Sequence, residues 1–144
     1  MKKKYALLLF MLGCLSLNFA QTGAGKKNAA DNFVKRTGTV FLLNGEPYYF
    51  IGANYWQGPL LSNKSFGKPG RQRVQRELDF LVQHNATNLR IVVGTEGSGA
   101  IDGSYRVGPS LQPEKGRFSP DALEGLDYLL TEMGKRNMKD VLYL

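Results

Sequence analysis

Three short apolar runs separated by two amphipathic segments predict an α/β fold with a parallel sheet, the opening part of a (β/α)8 barrel, truncated after its third strand. The runs are 51–56, 88–93 and 141–144. Each of the first two is followed by a stretch of helical period and then by the next run, which is the βαβ signature with its right-handed crossover. Half of a doubly wound sheet has the same order, but such a fold carries G-x-G-x-x-G after its first strand. Gly52-Ala53-Asn54-Tyr55-Trp56 stands there instead. A hairpin just before the first run, sized to plug a barrel floor, also favours the barrel.

Residues 1–20 read as a signal peptide rather than as fold. Lys2, Lys3 and Lys4 form a basic start, 5–17 is apolar but too short to span a bilayer, and Ala20 offers signal peptidase a small residue before Gln21. A secreted protein, extracellular or periplasmic, is expected, with no integral membrane segment after cleavage. Cys14 follows Met11-Leu12-Gly13, which partly resembles a lipobox. The residues before that glycine are large, so lipid anchoring is the less favoured expectation. Cys14 is the single cysteine, and cleavage after Ala20 leaves neither a disulfide nor thiol catalysis. Taking the three leader lysines from the 19 basic residues leaves 16 against 12 acidic ones, which reduces the formal +7 to +4. The remaining cations are scattered without interleaved aromatics, so no nucleic-acid partner is expected.

Residues 21–32, rich in Gly, Ala, Lys and Asn, read as a flexible leader, and structure is expected from Phe33 to the end of the chain. Asn44-Gly45 between two apolar arms predicts a hairpin, because both residues accept the positive φ that a type I′ turn requires. Its second arm is expected to run straight into the strand 51–56. Two prolines and three glycines make 58–70 an expected loop. Val74, Leu78, Leu81 and Val82 then mark an amphipathic helix over 71–85. The run 88–93 has the composition of a strand covered on both faces, and 94–119 reads as a long polar loop. Ser119 as N-cap, Pro120 as first helical residue and Asp121 as dipole partner open a helix with Ala122, Leu123, Leu126, Leu129, Leu130 and Met133 on one face. The last strand is expected after Asn137, and it stops before any loop or cap.

Arg90 carries the strongest chemical signal. It interrupts an apolar strand, and a guanidinium cannot shed its charge, so away from water it must meet a carboxylate or several acceptors. Two readings stand open. Arg90 pairs with Glu96 or water at a strand end, or it lines the barrel near its mouth and orients a carboxylate from a later strand. Asn54, Tyr55 and Trp56 gather at the carboxyl end of the first strand, where barrels place binding residues. Flat rings and an amide suit a sugar, whose C–H faces pack on aromatics while its hydroxyls take directional hydrogen bonds; for Trp56 a rim-filling role is the competing reading. Glu96 and Asp102 are the acids expected in a strand-end loop, and Glu96 is the candidate for lining a cleft. Asp79, Asp121, Glu124, Asp127 and Glu132 fall on helices and are expected on solvated outer faces. Glycoside hydrolysis needs two carboxyl groups about 5–9.5 Å apart, and Glu96 alone is not such a pair. His84, the only histidine, falls at a helix end and is expected to be exposed, so no metal site is expected. No G-x-S-x-G elbow supports a serine nucleophile.

Taken together, 33–38, the hairpin 43–50, Gly52-Ala53-Asn54-Tyr55-Trp56, Glu77-Leu78-Asp79-Phe80-Leu81, Thr87-Asn88-Leu89-Arg90 and Pro109-Ser110-Leu111-Gln112-Pro113 resemble the amino-terminal part of glycoside hydrolase family 5 mannanases. So does 126–144. The resemblance implies a secreted, retaining endo-β-1,4-mannanase, monomeric when complete, that acts on mannan or glucomannan and needs no cofactor. It also implies a general acid/base glutamate at the fourth strand and a nucleophile glutamate at the seventh, both beyond Leu144. Arg90 matches the family arginine that helps hold the nucleophile, and Trp56 matches the first-strand aromatic of the cleft. Asp140, just before the last strand, departs from the small or apolar residue the family tends to carry there. The chain is thus expected to be an amino-terminal fragment, inactive and poorly soluble alone. The alternatives are a non-catalytic carbohydrate-binding module using Trp56, Asn54 and Glu96, or a family 5 glycanase for another substrate such as cellulose.

Overall fold

The computed structural model describes residues 33–97 and 109–143. The signal peptide, Cys14, the leader, Asp102 and Leu144 lie outside the described residues. After Pro47 the chain divides into two compact units.

In the first unit, β1 (Lys35–Thr37), β2 (Val40–Leu43) and β3 (Glu46–Pro47) form an antiparallel meander. Asn44 and Gly45 take φ of 56° and 87°, and Leu43 pairs with Glu46 across them, as the type I′ turn requires. β1 is an addition to the expected hairpin, turned into β2 at Gly38, whose φ is 58°. The second arm does not continue into the next strand. Proline has no N–H for the ladder, the pairing ends at Pro47, and residues 48–50 leave the sheet.

The second unit contains β4 (Ile51–Asn54), α1 (Gly58–Ser62), a 3-10 turn (Lys64–Phe66), α2 (Gly67–Gln83), β5 (Ala86–Val92), α3 (Pro120–Lys135) and β6 (Lys139–Tyr143). The sheet order is β4-β5-β6 with both pairs parallel, the partial-barrel arrangement expected from the βαβ pattern. The segment 58–70 is largely helical rather than a loop. Pro59 and Pro69 sit in first helical turns, where the missing N–H has no intrahelical partner to lose. Glycines let α1 lie close on both long helices: a Cβ at Gly70 would stand 2.4 Å from the Leu61 carbonyl oxygen, and one at Gly125 2.6 Å from that of Pro59. Asn63, also buried, donates to the Asp121 carbonyl at 3.1 Å.

The core lies between the sheet and these helices, where Val74, Leu78, Leu89, Ile91 and Leu129 have no exposed surface. Ser119 caps α3 by accepting from Ala122 N at 3.3 Å. At its other end Met138 N donates to Met133 O, and Asn137 N to Gly134 O, with Asn137 at φ 56°, a Schellman closure that turns the chain into β6. Leu123 does not join the buried face and is 40% exposed. Glu132 reverses its expected exposure: it is buried, where Lys135 and Arg136 surround its carboxylate, and Arg136 reaches on to Asp79 of α2 at 2.7 Å. Asp140 lies inside β6, opposite Leu89, rather than before the strand. His84 is exposed, as expected, against Phe80. No helix among the described residues is long and apolar enough to cross a membrane.

Candidate functional site

Side chains alternate across a strand, and neighbours in register share a face. On β5, Leu89 and Ile91 turn to the helices, which sends Asn88, Arg90 and Val92 to the other face. Register adds Gly52 and Asn54 of β4, and Val141 and Tyr143 of β6, to that open face. The amino end of the face is filled. Asn88 is buried, its Nδ2 lies 3.4 Å from the Tyr48 hydroxyl, Tyr48 stacks on Phe50, and a Cβ at Gly52 would touch the Phe50 ring at 3.4 Å. Residues 48–50 therefore form a floor. Toward the carboxyl end, Asn54 and Arg90 remain exposed.

Arg90 meets neither Glu96 nor any other carboxylate among the described residues. Its guanidinium lies over the Tyr143 ring, 3.6 Å from the centroid, a cation–π contact that holds one flat face of the group. The N–H donors lie in the guanidinium plane, and none makes a side-chain hydrogen bond among the described residues. Tyr143 went unnoticed in the sequence. Period-2 alternation puts it on the face of Val141, but only the register of β5 on β6 puts that face beside Arg90.

Glu96 stands just past β5, exposed and in contact with the folded-back 109–119 segment. It bridges Gln112, whose amide donates to Glu96 Oε1 at 3.1 Å and accepts from Gly116 N at 2.9 Å in its satisfied orientation. Around it the 109–119 segment folds back on the strand end: Leu111 N and Ser110 Oγ both bond the Thr95 carbonyl, and Gly97 N bonds that of Gln112. An open cavity of about 480 Å³ lies between Glu96, Gln112, Glu114 and Lys115. Nothing local in the sequence marks Gln112 as this partner.

Asn54, Tyr55 and Trp56 do not form one cluster with Arg90. Tyr55 N donates to the Arg90 carbonyl at 2.9 Å, continuing the ladder, but the Tyr55 ring packs on the helix side against the core. Its hydroxyl donates to Glu77 Oε2 of α2 at 2.6 Å, and Arg73 Nε donates to Glu77 Oε1 at 2.6 Å. Burial, with the Glu77 carboxylate beside it, pushes the Tyr55 hydroxyl far above the ordinary tyrosine range. Partial burial works to raise Glu77, yet the bonds from Tyr55 and Arg73 outweigh it and hold that carboxyl below its usual range. Trp56, 45% exposed, lines a cavity of about 280 Å³ with Asn54, Gln57, Arg73, Glu77 and Phe80. Glu77 was missed as a site residue; the one sequence signal was its i,i+4 spacing from Arg73. The described residues hold no cluster of His, Cys, Asp and Glu able to bind a metal.

A family model described as "GH family 5 beta-mannosidase-like" matches residues 31–144. Mannan endo-1,4-beta-mannosidase 1 of Oryza sativa subsp. japonica is 31% identical over 140 residues, covering 94% of this chain and 29% of that protein. A glycoside hydrolase family 5 mannosidase from Rhizomucor miehei, known by crystal structure, is 34% identical with a TM-score of 0.70, over 80% of this chain and 28% of that one. The E202A mutant of the Rhizomucor mannosidase, solved with mannosyl-fructose, gives a TM-score of 0.69 at 34% identity, over 79% and 27%. The chain spans about three-tenths of the length of the relatives it matches.

Proposed function

The chain belongs to the β-mannosidase-like enzymes of glycoside hydrolase family 5, and from that premise we propose that it supplies the opening strands of a secreted, retaining β-mannan hydrolase. The complete enzyme cleaves β-1,4-mannosidic bonds in mannan or glucomannan. Arg90 is the observation that carries the assignment of roles: its charge is exposed near the carboxyl end of β5, stacked on Tyr143 and without a carboxylate partner among the described residues. A guanidinium fixed by one face offers a planar fork of donors that matches a carboxylate. In the complete enzyme that carboxylate is the nucleophile, held ionised and aimed at the anomeric carbon. Asn54 and Glu96 offer hydrogen bonds to sugar hydroxyls, and Trp56 offers a C–H stacking surface. Of the described helical acids, those at 77, 79, 124 and 132 already hold cations and Asp121 and Asp127 are exposed on α3; in this reading this part of the enzyme binds and orients while the acid–base chemistry belongs to the later strands.

Reducing-sugar release from glucomannan tests this. A complete enzyme carrying this chain as its opening part releases sugar, the 144-residue chain alone does not, and Arg90→Met in the complete enzyme lowers kcat by about 10²–10³-fold. Release by the short chain overturns the division of labour, and greater release from cellulose than from mannan overturns the substrate. A second reading, removal of single mannosyl units from chain ends, is favoured by the likeness to the Rhizomucor mannosidase. Mannohexaose separates the two: endo-cleavage gives mannotriose, or mannobiose with mannotetraose, early, and end-cleavage gives mannose with mannopentaose.

A further inference from the structure

We infer that Glu77 is a positioning residue for Trp56, acting through the Tyr55 hydroxyl. Tyr55 and Trp56 are consecutive, so whatever fixes the first limits the second. Tyr55 is held at three points. Its N–H bonds Arg90 O in the sheet, its carbonyl accepts Gly58 N at 3.2 Å, and its hydroxyl donates to Glu77. Gly58 closes on the same ring, since a Cβ there would stand 2.6 Å from it and 2.6 Å from Leu129. On the far side of Trp56, the Gln57 carbonyl accepts Leu61 N at 2.9 Å and starts α1. Trp56 is thus a one-residue bridge between an anchored strand end and an anchored helix start. Its ring lines the cavity that Glu77, Arg73 and Phe80 line from α2.

The hold is directional. Arg73 occupies Glu77 Oε1 and leaves Oε2 for the Tyr55 hydroxyl, so one carboxylate in one rotamer joins a cation to a phenol. A hydrogen bond to a charged acceptor shifts a local two-state balance by roughly tenfold or more. Losing it frees the 55–57 turn while the rest of Tyr55 stays packed. The opposite side of α2 serves another purpose: Arg71 pairs with Glu124, Gln75 bonds Tyr128 and Asp79 pairs with Arg136, all joining α2 to α3. One helix therefore carries a structural clasp on one side and a ring-positioning clasp on the other. That the positioned ring faces sugar rests on the proposed function.

Trp56 is the only tryptophan of the chain, so its emission and acrylamide quenching report on this site alone. In the 144-residue protein, Tyr55→Phe and Glu77→Leu are expected to raise quenching of Trp56 by about twofold or more, as the released state gains population. Glu77→Gln keeps an acceptor for the hydroxyl and restores most of the protection. Asp79→Ala breaks the comparable pair on the α3 side and leaves Trp56 unchanged. Unchanged quenching in Tyr55→Phe, whose ring and packing are retained, overturns the inference even if Glu77→Leu fails to fold. So does an equal rise in Asp79→Ala. Titrating the wild-type 144-residue chain with mannotetraose reads the other premise separately: no response of Trp56 counts against its contact with sugar, whereas the quenching comparison without sugar decides the role of Glu77.

Discussion

On β5, Leu89 and Ile91 face α2 and α3 with no exposed surface, while Arg90 between them stands exposed on the opposite face of the same strand. The helix side of the β4-β5-β6 sheet is a packed hydrocarbon layer that includes Leu129, Met133 and Val74. The other side is covered at its amino end by Tyr48 and Phe50, and toward its carboxyl end it carries the polar Asn54 and Arg90 beside Val92, Val141 and Tyr143. Burial of the first face stabilises the unit by a mechanism that disfavours charge, and Asp140, in register with Leu89 on β6, stands exposed at the sheet edge. The second face keeps a charge at a place where it costs little and remains free to meet a ligand or a carboxylate. Stability and function are thus separated by the two-residue period of a strand.

Mutations that act on one face at a time can break that separation. Leu129→Ala removes a fully buried side chain and is expected to cost about 3 kcal/mol of unfolding free energy by urea titration. A loss under about 1 kcal/mol would mean that the helix face is not the stabilising one. Next comes the buried carboxylate that ties α3 to α2. Glu132 is partly desolvated, which raises its pKa, but the bonds from Lys135 and Arg136 prevail and hold it below its ordinary 4.5. A lowered folded pKa means that this stabilisation is complete above the unfolded value and drains as pH falls below 4.5 through the folded value. Thermal unfolding between pH 7 and pH 3 should therefore show an acid-side loss that is reduced in Glu132→Gln, and Glu132→Gln itself should cost about 2 kcal/mol at neutral pH. Ser119→Ala removes the cap of α3 and should cost about 1 kcal/mol by the same measurement. Arg90→Met on the open face should be the smallest change, under about 1 kcal/mol, since only the stacking on Tyr143 is lost. If Arg90→Met destabilises as much as Leu129→Ala, the open face contributes to folding and the comparison fails.

Most of the fold was legible because its signals are local. The Asn44-Gly45 turn, the Ser119 cap and the apolar face of α2 follow from residues within a few positions of one another, and the parallel strand order follows from the alternation of such segments along the chain. The misreadings arose where local chemistry is ambiguous. Proline and glycine in 58–70 read as loop punctuation, yet the same residues suit a first helical turn and a close helix approach, and only the presence of α3 against Gly125 distinguishes the two. Glu132 has the sequence context of a solvated helix acid, and its burial depends on Arg136 and Lys135 closing over it. Asn54, Tyr55 and Trp56 are expected together at the end of the first strand, with Arg90 and Glu96 as separate candidates, and the structure places Asn54 and Arg90 on the open face, Tyr55 and Trp56 toward α2, and Glu96 against Gln112.

The sequence by itself determined the order of the parallel strands and the two long helices, the family to which they belong and the residue types available at the strand ends. Tertiary structure alone decided which way those residues face. The side chain of Tyr55 turns to Glu77, Glu96 takes Gln112 as its partner, and Arg90 lies on Tyr143. Helical and strand periods are written within a few residues and can be read there. The pairing of Arg90 with a ring 53 positions on depends on the register of two parallel strands, which is set by how α3 packs the crossover between them.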